Sequence, residues 1–428
     1  MRRIKTTLLA LAAIVLAACN GIDRPYEGTY EKVLVYVGLG YNNLSSNLLK
    51  NFADMQEGVL PGVASNCAIV AFCHNTASSG DYATACPPQL IRVMRGPGGK
   101  PVADTLKTYV NMAYSPTKES LREALQDIQE LFPSRSYGML FSSHGTGWIP
   151  AGYQSGNEAS SIRQRALSSD DYPYSSFAGV SGESPWPETK AIGNQYNGSA
   201  KNVRWLELAD FVDAIPFQLD YLILDACLMG TVEVAWAVKD LCHYVVASPT
   251  EILTDGMIYK TLSWDMFGSA EADLLTYCQE YFDYYNNETG SRRAGTIALV
   301  DCSKLDALAT AFGAIVAANR DNIPGCLASA QRYYYSDSPL RFYYDLRDFA
   351  ACLVAVDGAS PGWVDAQLAD LDAALAAAIP YHAETPAFFD LPLERCCGLS
   401  VYIPDPLRVK LNAYYSTLGW NRATHLVE

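Results

Sequence analysis

Two short runs, Tyr-Leu-Ile-Leu at 221–224 and Tyr-Val-Val-Ala at 244–247, are apolar at every position. A strand with one face in water alternates apolar and polar residues, so unbroken runs of this length mark strands covered on both faces. Parallel strands flanked by helices are the usual way to achieve that, because the crossover helices supply the two covers. The rest of the chain keeps the same rhythm. Strand-like runs at 33–37, 68–72, 90–94, 137–143 and 296–300 alternate with helical patterns at 118–131, 205–215, 231–239, 270–285, 304–318 and 363–378, and a further strand is expected at 399–403. The fold class is therefore α/β, with a largely parallel central sheet flanked by helices.

The start of the chain reads as an address. Arg2, Arg3 and Lys5 precede an almost wholly apolar stretch from Leu8 to Ala18, which ends in Leu-Ala-Ala-Cys. That stretch is too short to span a bilayer, and small residues directly before a cysteine resemble a bacterial lipobox. The expected organisation is a lipoprotein signal at 1–18, lipidation of Cys19, a tether at 19–30 and one large domain over 31–428. The location that follows is the bacterial cell envelope, with the membrane as partner through the lipid. The segment 150–202, rich in Gly, Ser, Pro and Asn, is long for a connection inside a compact domain and reads as a surface insertion.

Composition excludes some functions. A formal charge of −15 gives no electrostatic footprint for nucleic acid and suits basic peptides instead. Twelve cysteines show no paired CxxC rhythm, so zinc is not suggested, and the cysteines at 67, 73, 86, 242, 278, 302, 326 and 352 leave any pairing open. Cys396 and Cys397 read as strand residues rather than as a vicinal disulfide. His74, His243, His382 and His425 lack ligand spacing and read as core or surface residues. Glycines at 96, 98 and 99 lack P-loop spacing and read as a turn, and the tyrosines between 333 and 344 read as packing.

Chemistry in such sheets collects where strands end. Phe-Ser-Ser-His-Gly-Thr-Gly-Trp (141–148) carries His144 onto a glycine-bracketed turn, and Leu-Ile-Leu-Asp-Ala-Cys-Leu-Met-Gly (222–230) carries Cys227 to a strand end just before a helix, whose partial positive charge favours a thiolate. Taken singly, a buried Cys is ordinarily a small hydrophobe and a lone His is ordinarily structural. Together they suit acyl transfer, with the backbone amides of Gly145 and Cys227 as donors to an oxyanion.

Five pieces resemble the clostripain-like cysteine peptidases, which share the caspase-type fold with gingipains and legumains. They are KVLVYVGLGYNNL (32–44), SHGTGW (143–148), LDACLMGTVEVAW (224–236), VVASPTEILTDGMIY (245–259) and GLSVYIP (398–404). The resemblance implies a caspase-hemoglobinase-like sheet and a His144–Cys227 dyad. It also implies that the acids at the positions of Asp225 and Asp255 line a pocket for a substrate Arg or Lys, so the substrates are proteins or peptides with basic residues. Independently, a buried cation needs a carboxylate partner, and both acids follow adjacent strands. Activation in the family can involve cleavage between the two motifs, where Arg163 and Arg165 are the expected targets. Gly40, Tyr41 and Met257 depart from the family pattern. The resemblance implies no required cofactor and leaves calcium open, for which the sequence shows no EF-hand spacing. Two other readings stand beside this one: an inactive surface-binding lipoprotein, and a cysteine-dependent acyl hydrolase or transferase acting on a non-peptide substrate.

Overall fold

A computed structural model describes residues 26–76, 86–150, 193, 195–196, 203–334, 342–355 and 360–428. Cys19, Arg163 and Arg165, the signal and most of the expected insertion lie outside these residues. Nine strands form the main sheet: β1 (Tyr30–Gly40), β2 (Cys67–Asn75), β3 (Gln89–Arg95), β4 (Pro101–Thr108), β5 (Ser134–Ser142), β6 (Leu219–Asp225), β7 (Cys242–Ala247), β8 (Thr296–Asp301) and β9 (Tyr381–Glu384). Their spatial order is β9-β8-β7-β6-β5-β1-β2-β3-β4. The five central strands β2, β1, β5, β6 and β7 are parallel, and an antiparallel pair finishes each edge.

Strand β1 shows why the sheet is covered twice. Val33, Val35 and Val37 point into one apolar cluster with Leu121, Leu125, Phe211 and Phe312, whereas Leu34 and Tyr36 point into another with Met55, Met266, Tyr277 and Tyr281. Helices therefore lie on both faces. Helix α1 (Ser45–Glu57) follows β1, and α2 (Lys118–Leu131) precedes β5. Helix α2 starts where the Thr117 side chain accepts from Ser120 N at 3.1 Å, and it buries Leu121, Ala124, Leu125 and Ile128, one stripe at helical spacing.

Several expectations shift. The run 399–403 is buried as expected, yet only Ser400–Val401 pairs, and it pairs with Tyr344–Asp345 outside the main sheet. Cys396 and Cys397 are not in a strand, because Gly398 turns the chain at φ +87° and Cys397 N donates instead to the Asp345 carboxylate at 2.6 Å. The eleven cysteines among the described residues are free thiols. The 96–99 glycines form the β3–β4 turn, and Tyr333, Tyr343 and Tyr344 are packed inside, as read. Among the described residues no helix is long and apolar enough to cross a membrane.

The C-terminal segment is tied to helix α3 (Val232–Val238) through one buried acid. Glu233 accepts from Tyr402 N at 2.9 Å and from Tyr415 Oη at 2.7 Å. Burial pushes its carboxyl up to about 7, against the pull of those two donors. A carboxyl raised in the folded state binds its proton more tightly there than in the unfolded chain, so its stabilising contribution is complete at low pH and is lost as pH rises through about 7. That loss is about 3 kcal/mol. Glu233→Gln keeps the acceptor and removes the titration. The melting-temperature gap between Glu233→Gln and wild type should therefore move in favour of the variant from pH 5 to pH 8, and an unchanging gap would contradict this account.

Candidate active site

The five parallel strands run outward from β1 in both directions, and β1 and β5 flank the point where the order reverses. Loops at such a point splay apart and leave a crevice at the strand ends. Residue pairing fixes what meets there: Gly38 stands beside Ser142, and Ser142 beside Asp225. The turn after β5 carries His144, the turn after β1 carries Asn43, and β6 delivers Cys227 next door.

His144 is 1% exposed, and its Nε2 lies 2.8 Å from Asn43 Oδ1. When that nitrogen donates, the neutral ring keeps its acceptor at Nδ1. Asn42 builds the turn that presents Asn43: its Oδ1 accepts from Leu44 N at 2.8 Å and its Nδ2 donates to Leu39 O at 3.1 Å. Tyr41, one of the departures noted above, stacks on His74 with ring centroids 4.8 Å apart, and His74 Nδ1 meets Ser115 Oγ at 2.7 Å. Burial lowers His74 to about 4, so it is a neutral core residue that supports this turn. Tyr343 Oη donates to Thr146 O at 2.9 Å, and Trp148 packs against Tyr402 and Tyr415, which fixes the far end of the histidine turn.

Cys227 is fully buried. Its Sγ accepts from Ile252 N at 3.3 Å and lies 3.7 Å from Ile252 O. An N–H aimed at sulfur gains strength as the sulfur gains charge. The helix expected to provide that charge plays a smaller part than the sequence suggested: α3 has seven residues and begins at Val232, capped by Thr231, and a helix end acts only within about its first turn. The bend after Cys227 is instead made by Leu228, which holds φ at +59° with its N–H bonded to Thr250 O at 2.8 Å. A buried leucine in the left-handed region is unusual and is held there by its surroundings.

Gly145 joins the two motifs. A side-chain carbon placed on it would lie 2.2 Å from Cys227 O and 2.8 Å from Cys227 N, so only glycine permits this approach. The structure thus brings His144, Gly145 and Cys227 together. The acids fare differently. Asp225 is fully buried, and its carboxylate accepts from Ser142 Oγ at 2.7 Å, Tyr259 Oη at 2.6 Å and Met257 N at 3.2 Å. Asp255 lies three residues beyond Ile252 in the loop that touches the sulfur, is partly exposed, and forms an ion pair with Arg292. Asn43 was not singled out from the sequence, although it sits in the Asn-rich turn of a matched piece. Among the described residues no group of three or more His, Cys, Asp or Glu could hold a metal.

A mostly parallel central sheet with a histidine turn and a cysteine turn at adjacent strand ends is the layout of a caspase-like α/β fold. The clostripain family model matches residues 179–360, a span that contains Cys227, Asp225 and Asp255 but not His144. No curated protein sequence matches the chain. Among solved structures, an inactive zymogen C11 protease from Parabacteroides distasonis superposes with a TM-score of 0.70 at 24% identity, over 93% of this chain and 99% of that one. A secreted C11 cysteine protease from Bacteroides thetaiotaomicron, iotapain, gives 0.70 at 23% identity over 93% and 100%. A secreted C11 protease of the same organism, in complex with an irreversible peptide inhibitor, gives 0.69 at 19% over 92% and 99%. At these identities the structural likeness is one of fold. Over residues 179–360 the chain is similar to the clostripain family, and the superpositions add a shared fold.

Proposed function

We propose that this chain is an endopeptidase that cuts after Arg or Lys, with Cys227 as nucleophile and His144 as its acid–base partner. The observation that supports the reading is the close approach of Gly145, next to His144 in the chain, to the Cys227 backbone. In the reaction the Cys227 thiolate attacks the peptide carbonyl carbon, and the carbonyl oxygen takes up negative charge facing the N–H groups of Gly145 and Cys227. Protonated His144 gives its proton to the leaving amine as the C–N bond breaks, which leaves a thioester. Water, deprotonated by His144, then attacks the thioester and releases the new carboxyl terminus and the thiol. Asn43 holds the imidazole while it cycles.

Specificity rests on Asp255. Asp225 lies beside the loop that carries Asp255, but its carboxyl group is engaged by three donors, which suits it to holding the 255–259 loop in place. Asp255 is the acid with exposed surface, and a cationic side chain entering beside Cys227 recovers there some of the hydration it loses. The deciding measurement compares reporters that differ only in Arg, Lys or Leu on the acyl side. Wild type should prefer Arg and Lys, and Asp255→Asn should lower the Arg-to-Leu ratio of kcat/KM by at least about tenfold. Equal cleavage of Leu and Arg by wild type would overturn the specificity reading and leave the dyad standing.

The setting we propose is the cell envelope, with the chain held by a lipid on Cys19. The support is sequence alone, the small-residue run that ends on that cysteine. Cys19→Ser should move the protein out of the detergent-extracted membrane fraction and leave turnover of a basic reporter unchanged. Unaltered membrane fractionation would count against the anchor.

A further inference from the structure

Arg292 stands in the first turn beyond helix α4 (Leu274–Asn286), where Gly290 reverses the chain at φ +59°. Its neighbour Arg293 locks that turn to the helix end, donating from Nε to Asn286 O at 3.0 Å and from Nη2 to Asn286 Oδ1 at 2.7 Å. Arg292 is thereby free to reach elsewhere, and it meets two carboxylates. One is Asp255, through an Nη2 hydrogen bond. The other is Glu288, four residues earlier, with Nε 3.5 Å from Oε2. The guanidinium thus occupies the acid that the specificity reading assigns to the substrate's cation. All three side chains are partly exposed, at 27% for Asp255, 30% for Glu288 and 45% for Arg292.

We infer, resting on the specificity reading above, that Arg292 is a specificity-setting residue: it stands in for the substrate's basic side chain on Asp255 and passes to Glu288 alone when that side chain arrives. Two physical points support the exchange. An ion pair this exposed is weak, so displacing it reduces affinity by a factor of about five rather than by thousands. The second carboxylate means that Arg292 is not left unpaired, which keeps the exchange near balance. A neutral side chain makes no claim on Asp255, so the internal pair stays closed under it. The carboxylate is then not stripped of its partner by an apolar group, and the device acts on basic substrates only.

The two partners of Arg292 give tests of opposite sign. In Arg292→Ala the competitor is gone, and KM for the Arg reporter should fall about fivefold with kcat little changed. In Glu288→Ala the displaced guanidinium has nowhere to go, and KM for the Arg reporter should rise about two- to threefold. KM for the Leu reporter should stay put in both, and benzamidine, a bare amidinium probe, should inhibit Arg292→Ala about fivefold more tightly than wild type. A melting curve and the Leu reporter show whether each variant is folded. Arg292→Gln keeps much of the side-chain volume and serves if the alanine variant unfolds. Unchanged or higher KM for Arg in a folded Arg292 variant overturns the inference, as does a Glu288→Ala enzyme that binds the Arg reporter more tightly. If wild type itself fails to prefer Arg over Leu, the specificity reading has failed first. A retained preference with an unmoved KM removes the role of Arg292 alone.

Discussion

Replacing Cys227 with alanine is expected to lower kcat/KM for a basic peptide reporter by roughly 10⁵- to 10⁶-fold, because the proposed reaction runs through a thioester on its sulfur. The small volume change at a fully buried position should leave the fold intact, which a melting curve would check. His144→Ala should come within about tenfold of the same loss. The double variant should be no worse than either single one, since residues that act as a unit are not additive. Asn43→Ala is a milder change: it removes one hydrogen bond to the ring and keeps the ring itself, and should reduce kcat by roughly ten- to a hundredfold with KM little altered. If activation involves cutting at Arg163 or Arg165, wild type should purify as two fragments and Cys227→Ala as one chain. Residual turnover by Cys227→Ala above about one part in a thousand would remove the dyad from the mechanism.

Much of this arrangement is legible in the sequence, for reasons that also mark where legibility ends. The parallel strands announce themselves where burial on both faces forbids polar residues, as in β6 and at Val245, Val246 and Ala247 of β7, whereas Tyr244, which opens the second apolar run, is 39% exposed. Strand β4 is mostly exposed along its length, and its few apolar residues, Val102, Ala103 and Leu106, form no continuous run. It pairs as an edge, with Lys107 reaching Asp127 at 2.6 Å, a charge placement that also discourages further strand addition. The run 399–403 shows the converse failure. Its burial was evident, but burial does not say which strand is the partner, and only Ser400 and Val401 pair, with a two-residue strand that no periodicity can signal.

The candidate site divides in the same way. His144 and Cys227 could be picked out because each ends an apolar run and stands among glycines. Asn43 could not, since one polar residue in a turn of several has no pattern of its own until His144, 101 positions away, comes within hydrogen-bond reach. The same holds for Arg292, 37 positions from Asp255. Gly145 reads from the sequence as a turn glycine with an amide for the oxyanion, and only in three dimensions does it also prove to be a spacer between two motifs. Contacts of this kind link residues through the sheet order, with β5 and β6 adjacent in space and far apart in sequence.

That spacer has no room for a side chain. Gly145→Ala would put a methyl group 2.2 Å from Cys227 O, 2.8 Å from Cys227 N and 2.9 Å from Ala226 C. Every one of these atoms is backbone, so no side chain can swing away, and the two turns must separate instead. Separation moves the Gly145 amide away from the position a developing oxyanion would occupy, and losing one such donor costs about 10²- to 10³-fold in kcat. The variant should therefore lose about that much kcat while KM changes little, since substrate ground-state contacts lie elsewhere. Alkylation of Cys227 by iodoacetamide separates the causes, because that displacement builds no oxyanion and depends only on the sulfur. Alkylation within about threefold of wild type, beside a kcat reduced by about 10², would assign the damage to the oxyanion donors. A matching fall in alkylation would mean that the nucleophile itself has been disturbed. Retention of kcat within about tenfold of wild type would show that the Gly145 amide does not serve the reaction, whatever its contact with Cys227.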